Sequence, residues 1–182
     1  MADRIRVAVA PPRALVSIRG STGCATHWIG RALGVAWRDE PLRLHQQDGL
    51  RWWSFAPDVW WVDAPGDQED ALVCALDGAT PDGQAMVTVL SDAWVALHLE
   101  GATPALADLF ERAGPVGAET LGGQCVATRF GPFAVVLFET GTKPAHQSDL
   151  AGGIRRIELW VERPLARSLE QWLVRLGATS GA

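Results

Sequence analysis

The chain presents one order of predicted elements twice, and this recurrence constrains its fold more than any other feature. In the first half, a strand at residues 14–19 leads through Gly20 into a helix that ends at Gly34, and further strands and a second helix follow. Residues 86–177 again run through strands, a helix, strands and a final helix. This order is typical of α+β sandwiches whose helices pack on one face of an antiparallel sheet. We therefore predict one domain over residues 1–182, built from two ferredoxin-like subdomains at about residues 13–80 and 85–177.

Local signals set the boundaries of the predicted elements. Asp48-Gly49 predicts a hairpin between residues 42–46 and 50–55, and Gly131-Pro132 joins predicted strands at 124–130 and 133–140. Residues 78–83 are rich in turn formers and are the predicted break between the subdomains. The remaining predicted strands are 59–63, 154–161, and 86–90 with 94–100 on either side of a Ser91-Asp92 turn. The predicted helices are one that Ser21 or Thr22 caps and that ends at Gly34, and three more at about 67–76, 103–113 and 164–176.

Charge and hydropathy exclude several function classes. The net charge is −5 and Lys143 is the single lysine, so an electrostatic grip on nucleic acid or an anionic membrane is not expected. Positive charge carried almost entirely by arginine suits fixed ion pairs and protein interfaces. No apolar run is long enough to span a membrane and the first residues do not resemble a signal peptide, so we expect a soluble cytoplasmic protein.

Cysteine and histidine are too scattered to predict a metal site. Cys24, Cys74 and Cys125 are odd in number and far apart, which is typical of reduced thiols in the cytosol. Any of them is a conceivable nucleophile. Cys74 falls in an apolar helix stretch and Cys125 begins a hydrophobic strand, so the pattern favours buried, inert thiols.

Two other segments offer weak catalytic or binding signals. His98 shares a strand face with Glu100, which would permit a general base oriented by a carboxylate; the strand pattern favours an edge or interface histidine instead. Gly20-Ser21-Thr22-Gly23 joins a strand to a helix but lacks the lysine and the third glycine of phosphate-binding loops, so helix capping is favoured. We predict no catalytic, cofactor-binding or metal-binding residue in this chain.

Tryptophan is the unusual component of the composition, with nine tryptophans and no tyrosine. Trp52-Trp53 and Trp60-Trp61 are adjacent pairs on predicted strands, so alternation sends one member of each pair to each face of the sheet. One set can join the core, whereas the other needs a cover. A helix of the same chain, a flat ligand or a partner subunit would each serve, and we predict these four tryptophans as candidate interface residues.

Short segments in both halves together form the pattern of a known family. In the first half they are Ala-Leu-Val-Ser-Ile-Arg-Gly at 14–20, Leu-Gly-Val at 33–35, Pro41, and Ala-Pro-Asp-Val-Trp-Trp-Val at 56–62. In the second half they are Val-Thr-Val-Leu-Ser-Asp-Ala-Trp-Val-Ala-Leu at 87–97, the helix at 103–113, Gly-Gly-Gln-Cys-Val-Ala-Thr at 122–128, and the strand and tryptophan-containing helix at 157–173. These segments resemble the gamma subunit of heterotetrameric sarcosine oxidase, and the resemblance covers about residues 14–176.

The resemblance implies a non-catalytic subunit of a complex that demethylates sarcosine to glycine, reduces oxygen to hydrogen peroxide and passes the one-carbon unit to tetrahydrofolate. It implies a fold related to folate-dependent aminomethyltransferases. It also implies large alpha and beta subunits and a small delta subunit as partners, with FAD, FMN, NAD and tetrahydrofolate bound by partners and none by this chain. Two alternatives stay open: a stand-alone folate-binding or aminomethyl-transfer protein, and a small enzyme that uses His98 and Glu100.

Overall fold

The computed structural model describes residues 4–20, 22–80, 85–140 and 153–181. These residues form two compact units, one of residues 11–94 and the other of residues 1–10 together with 95–182. Each unit contains one sheet and two α-helices in its described part. The fold class is α+β, as the element order predicts.

In the unit of residues 11–94, five strands form an antiparallel sheet in the order β3-β4-β5-β2-β6. If the short edge strand β3 is left aside, the elements follow one another along the chain as strand, helix, two strands, helix and strand. In the sheet, β2 lies between β5 and β6. This is the ferredoxin-like arrangement. The elements are β2 (Arg13–Gly20), α1 (Thr22–Leu33), β3 (His45–Gln47), β4 (Leu50–Ala56), β5 (Val59–Pro65), α2 (Glu69–Ala79) and β6 (Ala85–Val89).

The central strand β2 is buried on both faces, which explains its continuous run of apolar residues. Val16 and Ile18 point toward the helices and pack with Ile29 of α1 and with Leu72 and Leu76 of α2. The hairpin between β3 and β4 turns at Asp48 and Gly49, whose φ angles of 51° and 86° suit a tight two-residue turn. The Asp-Gly prediction is therefore confirmed.

In the other unit, six strands lie in the order β11-β1-β7-β10-β9-β8. The pairing is antiparallel in the β1–β7, β10–β9 and β8–β9 pairs, whereas the two-residue β11 runs parallel to β1. The elements are β1 (Arg6–Val9), β7 (Trp94–Ala102), α3 (Thr103–Ala113), β8 (Cys125–Phe130), β9 (Phe133–Glu139), β10 (Ile154–Glu162), α4 (Ala166–Arg175) and β11 (Thr179–Ser180).

The N-terminal strand β1 is the feature of this unit that the sequence pattern did not predict. It pairs with β7, at the position that the fourth strand of a ferredoxin-like unit takes, and Val7 is fully buried in the core. That core also contains Leu99 of β7, Leu109 of α3 and Leu173 of α4. β1 is therefore separated by more than 80 residues of chain from the other strands of its unit.

Two strand assignments differ from the sequence prediction in their pairing. Residues 86–90 and 94–100 were predicted together, on either side of Ser91-Asp92, in one subdomain. In the structure β6 pairs with β2 and β7 pairs with β1, so the two strands belong to different sheets. The units meet in the chain at Trp94, while the predicted break at 78–83 falls partly outside the described residues.

The hairpin between β8 and β9 depends on Gly131. Its φ of 57° lies in the left-handed region, and a Cβ at this position would collide with the indole ring of Trp172 in α4. The backbone N–H of Gly131 also donates to the carbonyl of Ala113 at the end of α3. A glycine is therefore required where the hairpin turn lies beneath both helices.

Candidate functional site

The adjacent tryptophans separate to the two faces of the sheet as predicted. Trp52 and Trp60 lie on the helix-covered face and belong to the core with α1 and α2. The indole Nε1 of Trp52 donates to the carbonyl of Arg38 at 3.1 Å, and Nε1 of Trp60 donates to Oδ1 of Asp39 at 2.9 Å. Both rings therefore also anchor the loop that follows α1.

Trp53 and Trp61 lie on the opposite face in an aromatic cluster with Phe55 and Trp94. The ring centroids of Trp53 and Trp61 are 6.0 Å apart, and Trp61 meets Phe55 at 5.1 Å and Trp94 at 4.8 Å in edge-to-face geometry. Phe55 and Trp94, which belong to the same unit, thus cover part of this face of the sheet.

All four tryptophans are nearly inaccessible. Exposed fractions are 3% for Trp52, 1% for Trp53, 1% for Trp60 and 8% for Trp61. Burial therefore gives each of them a packing role within the chain. Their contact with a partner subunit stays a prediction, and with so little indole surface free it would depend on the residues around them.

Next to this aromatic cluster, two arginines enclose a buried carboxylate. Asp63 of β5 is fully buried and accepts from Arg51 at 2.5 and 2.8 Å and from Arg13 at 2.6 Å. Arg51 lies directly opposite Asp63 in the β4–β5 pair. Arg13 lies on β2 opposite Pro65, two residues along β5 from Asp63, and reaches the carboxylate diagonally. Sequence analysis missed this cluster, although arginine suits such bidentate pairs.

A second buried carboxylate lies beside the histidine that sequence analysis selected. Glu158 of β10 accepts from the indole Nε1 of Trp160 at 2.7 Å and lies 3.1 Å from Nε2 of His98. Sequence analysis considered Glu100 as the carboxylate that could orient His98 and favoured an edge or interface histidine; the structure places Glu158 beside the imidazole. Glu100 instead forms an ion pair with Arg156 at 2.7 Å, because β10 lies beside β7 in the sheet.

The arrangement orients the His98 imidazole but does not by itself make a catalytic site. Glu158 is 3% exposed, and its two oxygens are divided between the tryptophan and the histidine. A carboxylate that holds an imidazole in this way can fix the orientation of the ring.

A cavity lined by four titratable side chains lies around the loop after α1 and the edge strand β3. Its volume is about 410 Å³. The side chains that line it and matter for its chemistry are Arg38, Glu40, Arg43, His45, Gln47 and Trp52. Apart from Trp52, a candidate interface residue, sequence analysis did not assign a role to these side chains, because a loop without periodicity carries no signal for a cavity.

Stacked aromatic rings form one wall of this cavity. Trp52 is nearly parallel to Trp37, with centroids 5.2 Å apart, and to His45, with centroids 5.5 Å apart. The side-chain oxygen of Gln47 accepts from the backbone N–H of Ala36 at 3.0 Å and closes the loop against β3. The wall is thus built from residues whose positions are fixed by packing and hydrogen bonds.

Burial lowers the pKa of His45 below its ordinary value. The guanidinium groups of Arg38 and Arg43 act in the same direction, whereas the Glu40 carboxylate and a hydrogen bond with the Glu40 backbone oppose it. His45 is therefore neutral at pH 7. Its Nε2 atom is buried and has no hydrogen-bond partner among the described residues.

The cysteine predictions divide. Cys125 is fully buried, as predicted, whereas Cys74 of α2 is exposed, so its prediction was wrong. Leu72 and Leu76 of the same helix are buried, and a residue midway between them points away from the core. The side chain of Cys24 lies outside the described residues, as do Ser21 and the side chain of Thr22 in the weak phosphate-loop candidate.

The described part of the chain has neither a cluster of metal ligands nor a helix that could span a membrane. Among residues 4–20, 22–80, 85–140 and 153–181, no group of three or more histidine, cysteine or acidic side chains is placed to hold a metal ion. The helices described there are also all too short or too polar to cross a membrane.

Comparison with solved structures shows the fold. No protein-family profile and no curated protein matches the sequence. A chain of the heterotetrameric sarcosine oxidase from Corynebacterium sp. U-96, solved in complex with pyrrole 2-carboxylate, matches with a TM-score of 0.78 and 19% identity, covering 100% of this chain and 90% of that one. The glycine cleavage system aminomethyltransferase T from Bartonella henselae matches with a TM-score of 0.70 and 17% identity, covering 98% of this chain and 48% of that one.

The two matches differ in how much of the other protein they include. This chain spans about half of the aminomethyltransferase but nearly all of the sarcosine oxidase chain. At these identities the likeness concerns the fold. The protein therefore has the α+β fold found in aminomethyltransferase and sarcosine oxidase structures, as the sequence predicts.

Proposed function

We propose that this protein is the non-catalytic gamma subunit of a sarcosine oxidase-type complex. The observation that carries the proposal is the match over the full length of this chain with a chain of a heterotetrameric sarcosine oxidase that is only slightly longer. The sequence resemblance over about residues 14–176 supports the same family independently of the structure. The proposed partners are large alpha and beta subunits and a small delta subunit in the cytoplasm.

In the proposed complex, the chemistry belongs to the partners. Sarcosine loses two electrons at its N-methyl group, oxygen accepts them to become hydrogen peroxide, and the oxidised carbon passes to tetrahydrofolate, which leaves glycine. FAD, FMN, NAD and tetrahydrofolate are proposed to bind the partner subunits.

The contacts of this chain support a structural role. The two buried carboxylates among its described residues are Asp63 and Glu158, and both are engaged by hydrogen bonds from neighbouring side chains. An acid held between two guanidiniums, as Asp63 is, has both of its oxygens engaged within its own sheet. The candidate base His98 likewise makes its described contact with a carboxylate inside the chain.

Co-expression with the proposed large subunits tests the proposal. We expect sarcosine-dependent peroxide formation from the co-purified complex and none from the isolated chain. A His98→Gln variant should assemble and give the same kcat. Peroxide formation by the isolated chain, or loss of kcat in an intact complex containing the variant, would show that the chain is catalytic.

A stand-alone folate-binding protein is the second candidate, because the fold is shared with an aminomethyltransferase over 98% of this chain. This candidate predicts that tetrahydrofolate quenches the tryptophan fluorescence of the isolated chain. Since this chain spans only 48% of that protein, we expect no quenching at millimolar tetrahydrofolate.

A further inference from the structure

The cavity beside β3 contains hydrogen-bonding groups that the fold does not use. The Arg38 guanidinium is exposed and makes no hydrogen bond or ion pair with another described residue. Arg43 makes only a long contact of 3.5 Å with Glu40, and both of those side chains are exposed. His45 adds the buried, unpartnered Nε2 atom. The cavity therefore has two free cationic donors beside an imidazole nitrogen that becomes a donor when it is protonated.

The charge at the rim is positive in a protein whose net charge is −5. Two guanidiniums stand against the single carboxylate of Glu40. Guanidinium groups donate only, and their planar fork matches the two oxygens of a carboxylate. The complementary ligand is thus an acceptor with negative charge, which excludes a metal cation.

The walls of the cavity are already in place without a ligand. The Arg38 carbonyl and the Asp39 carboxylate are held by the indoles of Trp52 and Trp60, and the Ala36 N–H is held by Gln47. Since the loop is anchored on both sides of Arg38, little backbone order has to be gained on binding. The volume of about 410 Å³ lies in the range of roughly 300–1,000 Å³ typical of small-molecule sites and exceeds what a carboxylate group alone would fill.

We propose that this cavity binds a small organic carboxylate, with the carboxylate held by Arg38 and Arg43 beside the imidazole of His45. The body of the ligand lies in the rest of the cavity, alongside Leu44 and Gln46, because Trp52 is only 3% exposed. The site is formed entirely by residues of this chain, so it does not rest on membership of the proposed complex.

Binding at this site is coupled to the protonation of His45. In the neutral ring, the hydrogen bond with the Glu40 backbone leaves Nε2 as the unprotonated nitrogen, which repels a carboxylate oxygen. A bound carboxylate adds negative charge beside the ring and opposes the effects of burial, Arg38 and Arg43 on its pKa. Affinity therefore increases as pH falls, by up to about tenfold for each unit by which the ligand raises the pKa of His45.

Calorimetric titration of the full chain with benzoate and succinate tests the proposal. Benzamide and succinamide have similar shapes without the negative charge and serve as ligand controls. We expect saturable binding of at least one carboxylate, no binding of its amide, and tighter binding at about pH 5.5 than at about pH 8.

Variants identify the site. Arg38→Ala should weaken binding by about tenfold or more, as expected for loss of a charge-assisted pair, and His45→Gln should remove most of the pH dependence. Arg19→Ala is the matched control, because Arg19 is exposed in the same unit and does not line the cavity. Circular dichroism verifies that each variant is folded.

Three results would overturn the proposal. The first is the absence of saturable heat at carboxylate concentrations of about 20 mM, which is far above a millimolar dissociation constant. The second is binding of the amides as tight as that of the carboxylates. The third is an equal loss of affinity in the Arg38→Ala and Arg19→Ala variants. Each is independent of whether the chain assembles with large subunits, so failure here leaves the proposed complex untouched.

Discussion

Replacing Asp63 by asparagine removes the charge that two buried or half-buried arginines share. The substitution keeps the size and shape of the side chain, so its effect is electrostatic and on hydrogen bonding. The energetic cost falls mainly on Arg51, because its side chain is 9% exposed and water cannot replace the lost carboxylate where it lies. Arg13 is 23% exposed and can turn partly toward water.

The expected loss of stability follows from this difference. Breaking a buried ion pair by removing one partner costs about 3–5 kcal/mol, because an uncompensated charge stays behind. With one arginine strongly affected and the other partly relieved, we expect about 3 kcal/mol for Asp63→Asn. For a urea m-value of about 2 kcal/mol per M, the unfolding midpoint falls by about 1.5 M.

Urea denaturation followed by tryptophan fluorescence measures this shift. Asp108→Asn is the matched control, since Asp108 makes an exposed pair with Arg112 on α3 and its loss should cost less than about 1 kcal/mol. The double variant Arg51→Met/Asp63→Leu should recover much of the loss, because apolar residues can replace a buried ion pair. If Asp63→Asn and Asp108→Asn shift the midpoint equally, the reasoning about the buried cluster is wrong.

Three further substitutions test local features, each by chemical or thermal denaturation. Trp60→Phe should cost about 1–3 kcal/mol, because it removes the hydrogen bond to Asp39 and leaves space in the core, and no loss would contradict that packing role. Gly131→Ala should cost at least about 1–2 kcal/mol from its left-handed φ alone, with more from the collision with Trp172; an unchanged melting temperature would refute the tight hairpin. Because the folded-state pKa of His45 is lowered, the folded chain binds fewer protons than the unfolded chain, so its stability falls as pH drops below about 6.5. The His45→Gln variant should lose less stability than the wild type between about pH 7.5 and 5.5, and an equal or larger loss would contradict the effect of burial.

The features that sequence predicted well are those set by neighbouring residues. The Asp48-Gly49 turn is decided by the two residues that adopt positive φ, and the apolar stripe of α3 follows from spacing within eleven residues. The alternation of Trp52 and Trp53 across the sheet is equally local, because successive side chains of a strand point to opposite faces.

The features that sequence missed depend on distant partners. β1 is a short strand whose stability comes from pairing with β7, so nothing in residues 6–9 alone distinguishes it from a loop. Asp63 meets Arg13 from 50 residues away, and His98 meets Glu158 from 60 residues away, through the order of strands in each sheet. Glu100 was considered as the partner because it shares a strand face with His98, yet the acid that contacts the imidazole comes from the neighbouring strand.

The error at Cys74 has a different cause. The stretch around it is apolar, but an α-helix buries only one stripe, and in α2 that stripe passes through Leu72 and Leu76. Composition alone therefore overestimated how much of the helix is buried. The cavity at His45 escaped prediction because the loop carrying Arg38 and Arg43 has no periodic pattern.

The central claim is that this chain is a subunit of a sarcosine oxidase-type assembly, and native mass spectrometry tests it most directly. The full chain, carrying an affinity tag, is co-expressed with the proposed large and small subunits and purified by the tag alone. The account predicts a single species with the mass of a heterotetramer that contains one copy of this chain. Recovery of the chain only as a monomer, with the large subunits assembled without it, would contradict the account.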